Sequence, residues 1–323
     1  MRTLPRIRIA LLPTPVESLP RLSAELGGPN ILVKRDDLTG LAFGGNKTRK
    51  LDYLLAEAQA NRARTIITAG AVQSNHCRQT AAACARLGFD CILVLSGEKP
   101  SAATGNLLLD DLFNAKFVWT SNEERDQMLQ DIFRKAWEEG KRPYLIPYGG
   151  SNTTGASAYV YAIQELMAQQ VMPDWIVFAS SSGGTQAGLV AGARLFGFKG
   201  KVLGISVDEP EVDLKQCVAS LATATTDILG EKTNILASDI FVNDHYIGAG
   251  YGIMGAAEIE AIRLFARTEG LLLDPVYTGR AAAGIIDLTR QGFFKPNETV
   301  LFWHTGGTPA LFSDKYTQLI DPL

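Results

Sequence analysis

The sequence predicts an α/β fold: two open, mostly parallel, twisted sheets flanked by helices. Three observations predict it. Between residues 64 and 147, short apolar runs alternate with amphipathic stretches, as repeated βαβ units require. A second block of the same kind begins at Trp175. Glycine-rich turns fall at the carboxyl ends of the expected strands, which is where α/β folds bind ligands. Two blocks of this kind predict two domains with a cleft between them.

The elements follow in order. Prolines 5, 13, 15 and 20 predict an irregular arm over residues 1–30, with a short helix near 19–26. Ile31-Leu32-Val33-Lys34 reads as a strand. After the loop Gly44-Gly45-Asn46-Lys47-Thr48-Arg49-Lys50, the residues Leu51, Leu54, Leu55 and Ala58 recur at helical spacing, so a helix is expected over about 47–60. Strands are expected at 65–68, 91–95, 116–119 and 144–146, with helices at 75–87, 104–114 and 122–139 between them. These strands are continuous apolar runs, as expected when both faces are covered. The turn Gly149–Gly155 opens a helix running to about 169. Trp175–Ala179 is a strand, 186–195 a helix and Val202–Val207 a strand. Residues 210–240 are less patterned, with helix expected. Helices at 254–268 and 279–290 precede a last strand at Val300–Trp303.

Hydrophobic residues make up 46% and charged residues 20%, which suits a globular protein with a sizeable core. A net charge of -3 gives no electrostatic footprint for nucleic acid or an anionic membrane. No apolar run reaches the length of a membrane span, and none follows the N-terminus as a secretory signal would. The cytoplasm is the expected compartment. Cys77, Cys84, Cys91 and Cys217 form no CxxC pair, and His76 has no second histidine at metal-site spacing, so reduced thiols and no metal are expected.

Five stretches carry candidate chemistry. Lys47 opens a helix after two glycines that let a ligand approach the backbone. It can hold a phosphate as a point charge or attack a carbonyl as an amine, and a surface lysine with neither role is as probable on spacing alone. Asn46 stands where a Walker motif needs glycine, so that motif fails. Ser74 and Asn75 sit where a helix begins, either as simple caps or as a polar pocket edge. Ser180-Ser181-Ser182-Gly183-Gly184-Thr185 joins a strand to a helix and makes a phosphate cradle. A dinucleotide reading would use Asp208 and Glu209, yet glycines 183, 184 and 188 do not give G-x-G-x-x-G. Tyr251 and Tyr277 lie in glycine-flanked loops, as surface rings or as pocket acids. Thr305 follows the last strand, in a turn or facing a ligand.

Taken together, eight segments resemble the pyridoxal-phosphate enzymes of the tryptophan-synthase-β fold (type II). They match the branch of 1-aminocyclopropane-1-carboxylate (ACC) deaminase and D-cysteine desulfhydrase. They are LPTPVESLPRLSAELGG at 12–28, KRDDLTG at 34–40, GGNKTRKL at 44–51, AGAVQSNHCRQTAA at 69–82, IPYGGSNTTGA at 146–156, SSGGTQAGL at 181–189, DPVYTGRAAAG at 274–284 and HTGGTPALF at 304–312. The resemblance implies pyridoxal 5′-phosphate in the interdomain cleft, with Lys47 carrying the Schiff base. Asn75 would bond the ring oxygen, and Asn46 would lie in the cofactor site. Ser182, Gly183, Gly184 and Thr185 would hold the phosphate. Ser74, Tyr251 and Tyr277 would face a small amino-acid substrate. It also implies a smaller domain over 50–160, a larger one formed by 1–49 plus 161–323, and a homodimer.

Two positions bear on the branch. The resemblance leads one to expect Glu after the DPVY tyrosine and Leu in the HxGG turn of a cyclopropane-opening deaminase. This chain has Thr278 and Thr305. A carboxylate near the pyridine nitrogen would keep it protonated, whereas a neutral hydroxyl would not. The weaker sink suffices when a β-substituent leaves with its electrons. The expectation is therefore α,β-elimination, most of all from D-cysteine. L-cysteate sulfo-lyase and ACC deaminase remain alternatives, and a nicotinamide oxidoreductase or a non-catalytic cofactor-holding protein are others.

Overall fold

The structure is a computed structural model that describes residues 1–317. Its first elements are β1 (Val16–Ser18), α1 (Pro20–Leu26), β2 (Asn30–Lys34) and α2 (Asn46–Ala60). Then β3 (Thr65–Ala71), α3 (Asn75–Leu87), β4 (Asp90–Ser96), α4 (Gly105–Leu112), β5 (Lys116–Thr120), α5 (Arg125–Glu138) and β6 (Pro143–Leu145) alternate as expected. The chain continues through α6 (Thr153–Ala168), β7 (Trp175–Ser180), α7 (Gly184–Phe196), β8 (Lys201–Ser206), α8 (Glu211–Ile228) and β9 (Phe241–Asn243). It closes with α9 (Ala256–Glu269), α10 (Thr278–Arg290), β10 (Thr299–Trp303) and α11 (Asp314–Thr317). Among the described residues no helix is long and apolar enough to cross a membrane.

Two sheets result. The larger has the order β1-β2-β10-β7-β8-β9 and the smaller β5-β4-β3-β6. Every pairing is parallel except β1 with β2. The arm was expected to be irregular before its helix. Three of its residues instead pair antiparallel along the edge of β2, Val16 opposite Lys34. β9 is likewise a short edge strand, just past the region read as helix.

The continuous apolar runs are explained by burial on both faces. On β10, Val300 and Phe302 enter a core with α1, α9 and α10, while Leu301 and Trp303 enter another with α6 and α7. On β4, Cys91, Leu93 and Leu95 face α2 and α3, and Ile92 and Val94 face α5. Helices α6 and α7 pack at close range because Gly188 and Gly192 lie between them. A Cβ on Gly188 would stand 2.1 Å from the Ala156 carbonyl oxygen. The whole of α6 thus packs beside the larger sheet, and the expected boundary at residue 160 falls inside this helix.

Candidate active site

The carboxyl ends of β3, β7 and β10 and the start of α2 meet in one cleft. It is lined by Asn46, Lys47, Lys50, Ser74, Asn75, His76, Tyr148, Gly149, Ala179 to Thr185, Tyr277 and Thr305. Ten of the lining positions were singled out from the sequence as site residues: Asn46, Lys47, Ser74, Asn75, Ser182, Gly183, Gly184, Thr185, Tyr277 and Thr305.

The loop before Lys47 needs its glycines. Gly45 has φ of 125°, and a Cβ there would meet Gln79 Nε2 at 2.5 Å and the Thr305 carbonyl oxygen at 3.0 Å. The loop is held by Gly45 N donating to Asp36 O and by Asn46 N donating to Thr305 O. Lys47 Nζ donates to the Gly149 carbonyl at 3.1 Å. Burial lowers its amine to about 8, against a partly opposing hydrogen bond with Lys50. At that value about a tenth of the amine is neutral at pH 7, against a few in ten thousand for an ordinary lysine.

Ser74 is both cap and pocket edge. Its Oγ accepts from Cys77 N at 3.2 Å, which leaves its own proton free to donate into the cleft. His76 is structural. Thr68 Oγ1 donates to Ile146 O, so the 2.9 Å contact between Thr68 Oγ1 and His76 Nε2 is donated by the ring. Burial and the charges of Lys47 and Lys50 push this imidazole well below its ordinary value, so it is neutral.

The loop 180–185 opens α7. Gly183 is left-handed at φ of 75°, and a Cβ on Gly184 would collide with Ser151 Oγ at 2.4 Å and Lys50 Nζ at 2.9 Å. Asn46 Nδ2 donates to Thr185 Oγ1 at 3.1 Å, tying the lysine loop to this cradle. Ser151 and Ser182 hydroxyls are 2.8 Å apart. Tyr251 and Tyr277 share a hydrogen bond of 2.7 Å, and burial raises both phenols well above their ordinary value. Tyr277 lines the cleft, while Tyr251 lines a wider outer cavity that meets the cleft at Tyr148.

Thr278 is not brought to the cleft. Its hydroxyl donates to Asp274 Oδ1 at 2.7 Å and accepts from Asp274 N at 2.7 Å, closing the turn that starts α10. Of the two threonines read as facing the ligand, only Thr305 lines the cleft. Asp208, the acid a dinucleotide would use, accepts instead from the Ser181 hydroxyl at 3.0 Å.

Lys50 was missed. It is fully buried, donates to Gly149 O at 3.1 Å and Ser151 Oγ at 3.4 Å, and among the described residues has no carboxylate at ion-pair distance. Its spacing of three from Lys47, on one helix face, was the available signal. Burial and the Lys47 charge hold its amine well below the ordinary value. A buried amine without an anion, beside a helix N-terminus and a glycine cradle, fits a phosphate group, whose charge would favour its protonated form.

Residues 7–306 match the model of the pyridoxal-phosphate dependent enzyme family, and the chain belongs to that family. It is 43% identical over 320 residues to the D-cysteine desulfhydrase of Salmonella choleraesuis (strain SC-B67), covering 96% of each chain. It is 44% identical over 321 residues to the D-cysteine desulfhydrase of Salmonella newport (strain SL254), again over 96% of each. The crystal structure of an ACC deaminase homologue superposes with a TM-score of 0.90 at 37% identity, covering 98% of this chain and 95% of that one. The cofactor is therefore pyridoxal phosphate, and the dinucleotide reading of residues 183–209 is set aside.

Lys50→Met is expected to weaken cofactor retention about tenfold or more, because a charge-assisted hydrogen bond is lost at the cradle. Titration of the apoprotein with pyridoxal phosphate measures this, and unchanged affinity would separate Lys50 from the phosphate.

Proposed function

We propose that the protein converts D-cysteine and water to pyruvate, hydrogen sulfide and ammonia by β-elimination. The observation that carries this reading is that the cleft is lined by two lysines and no carboxylate. No acid among those residues would hold a ring nitrogen protonated. That favours a leaving group on Cβ over opening of a cyclopropane ring. The full-length likeness to D-cysteine desulfhydrases supports the same choice.

Lys47 would hold the cofactor covalently. Ser182 to Thr185, the α7 amides and Lys50 would hold its phosphate, with Thr185 steadied by Asn46. Asn75 Nδ2 and the Thr305 hydroxyl would be the donors available to its ring. When bound, the cofactor supplies the electron sink that lets the Cα–H bond break. Lys47 Nζ, once released, takes the α-proton, which its lowered pKa permits at neutral pH. Ser74 donates to the substrate carboxylate. Tyr277, backed by Tyr251, keeps its proton and hydrogen-bonds the departing sulfur. Thr278 acts at one remove, by fixing the Asp274 turn that carries Tyr277. The smaller sheet and its helices form the unit that closes over the substrate.

A second reading has one observation in its favour. Arg125 lies 4.5 Å from the Tyr148 ring centroid and lines the outer cavity, a cation of the kind a β-sulfonate would want. Turnover of D-cysteine, L-cysteate and ACC by the holoenzyme separates the readings. Pyruvate with sulfide, fastest from D-cysteine, is expected. Faster release of sulfite from L-cysteate would replace the desulfhydrase with a sulfo-lyase.

A further inference from the structure

We propose that Arg78 is a positioning residue for the cofactor: its guanidinium locks the Asn75 amide with Nδ2 as the free donor and loads that donor with positive charge. The inference rests on the cleft being the cofactor site. Arg78 lies one turn beyond Asn75 on α3 and is fully buried. Its Nη1 donates to Asn75 Oδ1 at 2.9 Å and to Asn106 Oδ1 at 2.5 Å. Its Nη2 donates to the Gly44 carbonyl at 3.0 Å, on the loop that leads into Lys47. Asn106 Nδ2, from α4, adds a second donor to Asn75 Oδ1 at 2.9 Å.

Two donors on Oδ1 decide the amide orientation. A flipped Asn75 would set its NH₂ group against two N–H groups and leave its oxygen outside. Nδ2 therefore remains as the available donor of a side chain that lines the cleft.

A buried guanidinium with only a structural role would be paired with a carboxylate. Asp110, on α4, is within electrostatic reach and fully buried, yet among the described residues neither of its oxygens finds a hydrogen-bond partner, and neither does Arg78 Nε. Asp274, at the turn before α10, is the other acid whose field reaches Arg78. Burial pushes the Asp110 carboxyl well above its ordinary range, against the pull of the Arg78 charge. The Arg78 donors go instead to the amide oxygens of Asn75, which lines the cleft, and Asn106, and to the carbonyl of Gly44, on the loop leading into Lys47. One cation thus fixes both Asn75 and the start of the Lys47 loop. A donor backed by positive charge stabilises an ionised ring oxygen and makes the adjoining covalent nitrogen less basic.

Two variants test this on purified protein, with apoprotein thermal unfolding as the check of folding. Arg78→Met is expected to bind pyridoxal phosphate about tenfold more weakly in titration of the apoprotein. The pH midpoint of the bound cofactor's absorbance change should rise by about one unit, since loss of positive charge favours the protonated form. Arg78→Lys keeps a charge but not the fork, so its midpoint should stay near the parent value while its affinity falls. A folded Arg78→Met with parental affinity and midpoint would overturn the role. Should that variant not fold, parental affinity in Arg78→Lys overturns it equally. A parent protein that takes up no cofactor would sink the cofactor-site reading itself, whereas binding that the variants share sinks only the part given to Arg78.

Discussion

Lys47→Ala is expected to lower pyruvate release by at least about a thousandfold while leaving the fold intact. The covalent attachment and the α-proton transfer are both assigned to the same amine, so neither neighbour can replace it. Lys50 shares its carbonyl partner, Gly149, but its Nζ is committed at the cradle with Ser151. His76 is neutral, and its Nε2 is committed to Thr68. The substitution removes no packing atom from a core cluster, so the unfolding temperature should shift little. Absorbance before and after borohydride, followed by peptide mapping, reads the attachment directly. The parent should trap the cofactor on the peptide that carries Lys47, and the variant should trap none there. Retained turnover in Lys47→Ala would move both roles to another group, and Lys50 would be the first to examine.

Much of the site was legible because its chemistry is carried by contiguous stretches. Ser74-Asn75 and Ser182 to Thr185 each combine a strand end, a turn and a helix start, and Gly44 to Lys50 a glycine turn and a helix start, all fixed locally. α3 begins and ends where the spacing put it, since Ser74 caps it and Gly88 is left-handed after it. What escaped depends on partners distant in sequence. β1 exists only because β2 offers an edge, and three residues flanked by prolines give no strand signal. Lys50 reads as one more charge on an amphipathic helix until Ser151 and Gly184 are beside it. The resemblance put Thr278 at the ring nitrogen, by its place after the DPVY tyrosine, but Asp274, four residues earlier, captures its hydroxyl. Arg78 gives no signal of its role in the sequence, since only Gly44 and Asn106 reveal where it points.

The second large effect is expected behind the site. Asp36→Ala should destabilise the protein by about 3–5 kcal/mol, because it breaks a buried ion pair and leaves the buried Thr14, Tyr159 and Trp303 donors without their acceptor. Asp36 is fully buried and accepts five hydrogen bonds, from Thr14 Oγ1, from Nε and Nη2 of Arg49, from Tyr159 and from Trp303 Nε1. These donors come from the arm, α2, α6 and β10, so one carboxylate joins the larger sheet to the helix that carries Lys47. Arg49 keeps Glu165 as a partner, which also holds Lys34. Burial opposes ionisation of Asp36, but the Arg49 charge and the hydrogen bonds from Arg49, Trp303 and Tyr159 outweigh it and hold the carboxyl below its ordinary range. Glu165 is depressed in the same way, with its hydrogen bond to Arg49 foremost among the forces that overcome burial. For a depressed acid the stabilisation is complete above the unfolded-state value, about 4, and is lost as pH falls through the lower folded-state value. The gap in unfolding temperature between the parent and Asp36→Asn should therefore be widest near pH 7 and narrow below about pH 4. A gap that stays constant down to pH 2 would mean that the Asp36 charge contributes nothing and only its shape matters. Because Arg49 sits two residues beyond Lys47 on α2, the same variants should also release cofactor more readily. Cofactor loss would then precede unfolding in a heated sample, as α2 loosens at the end that carries the reactive amine.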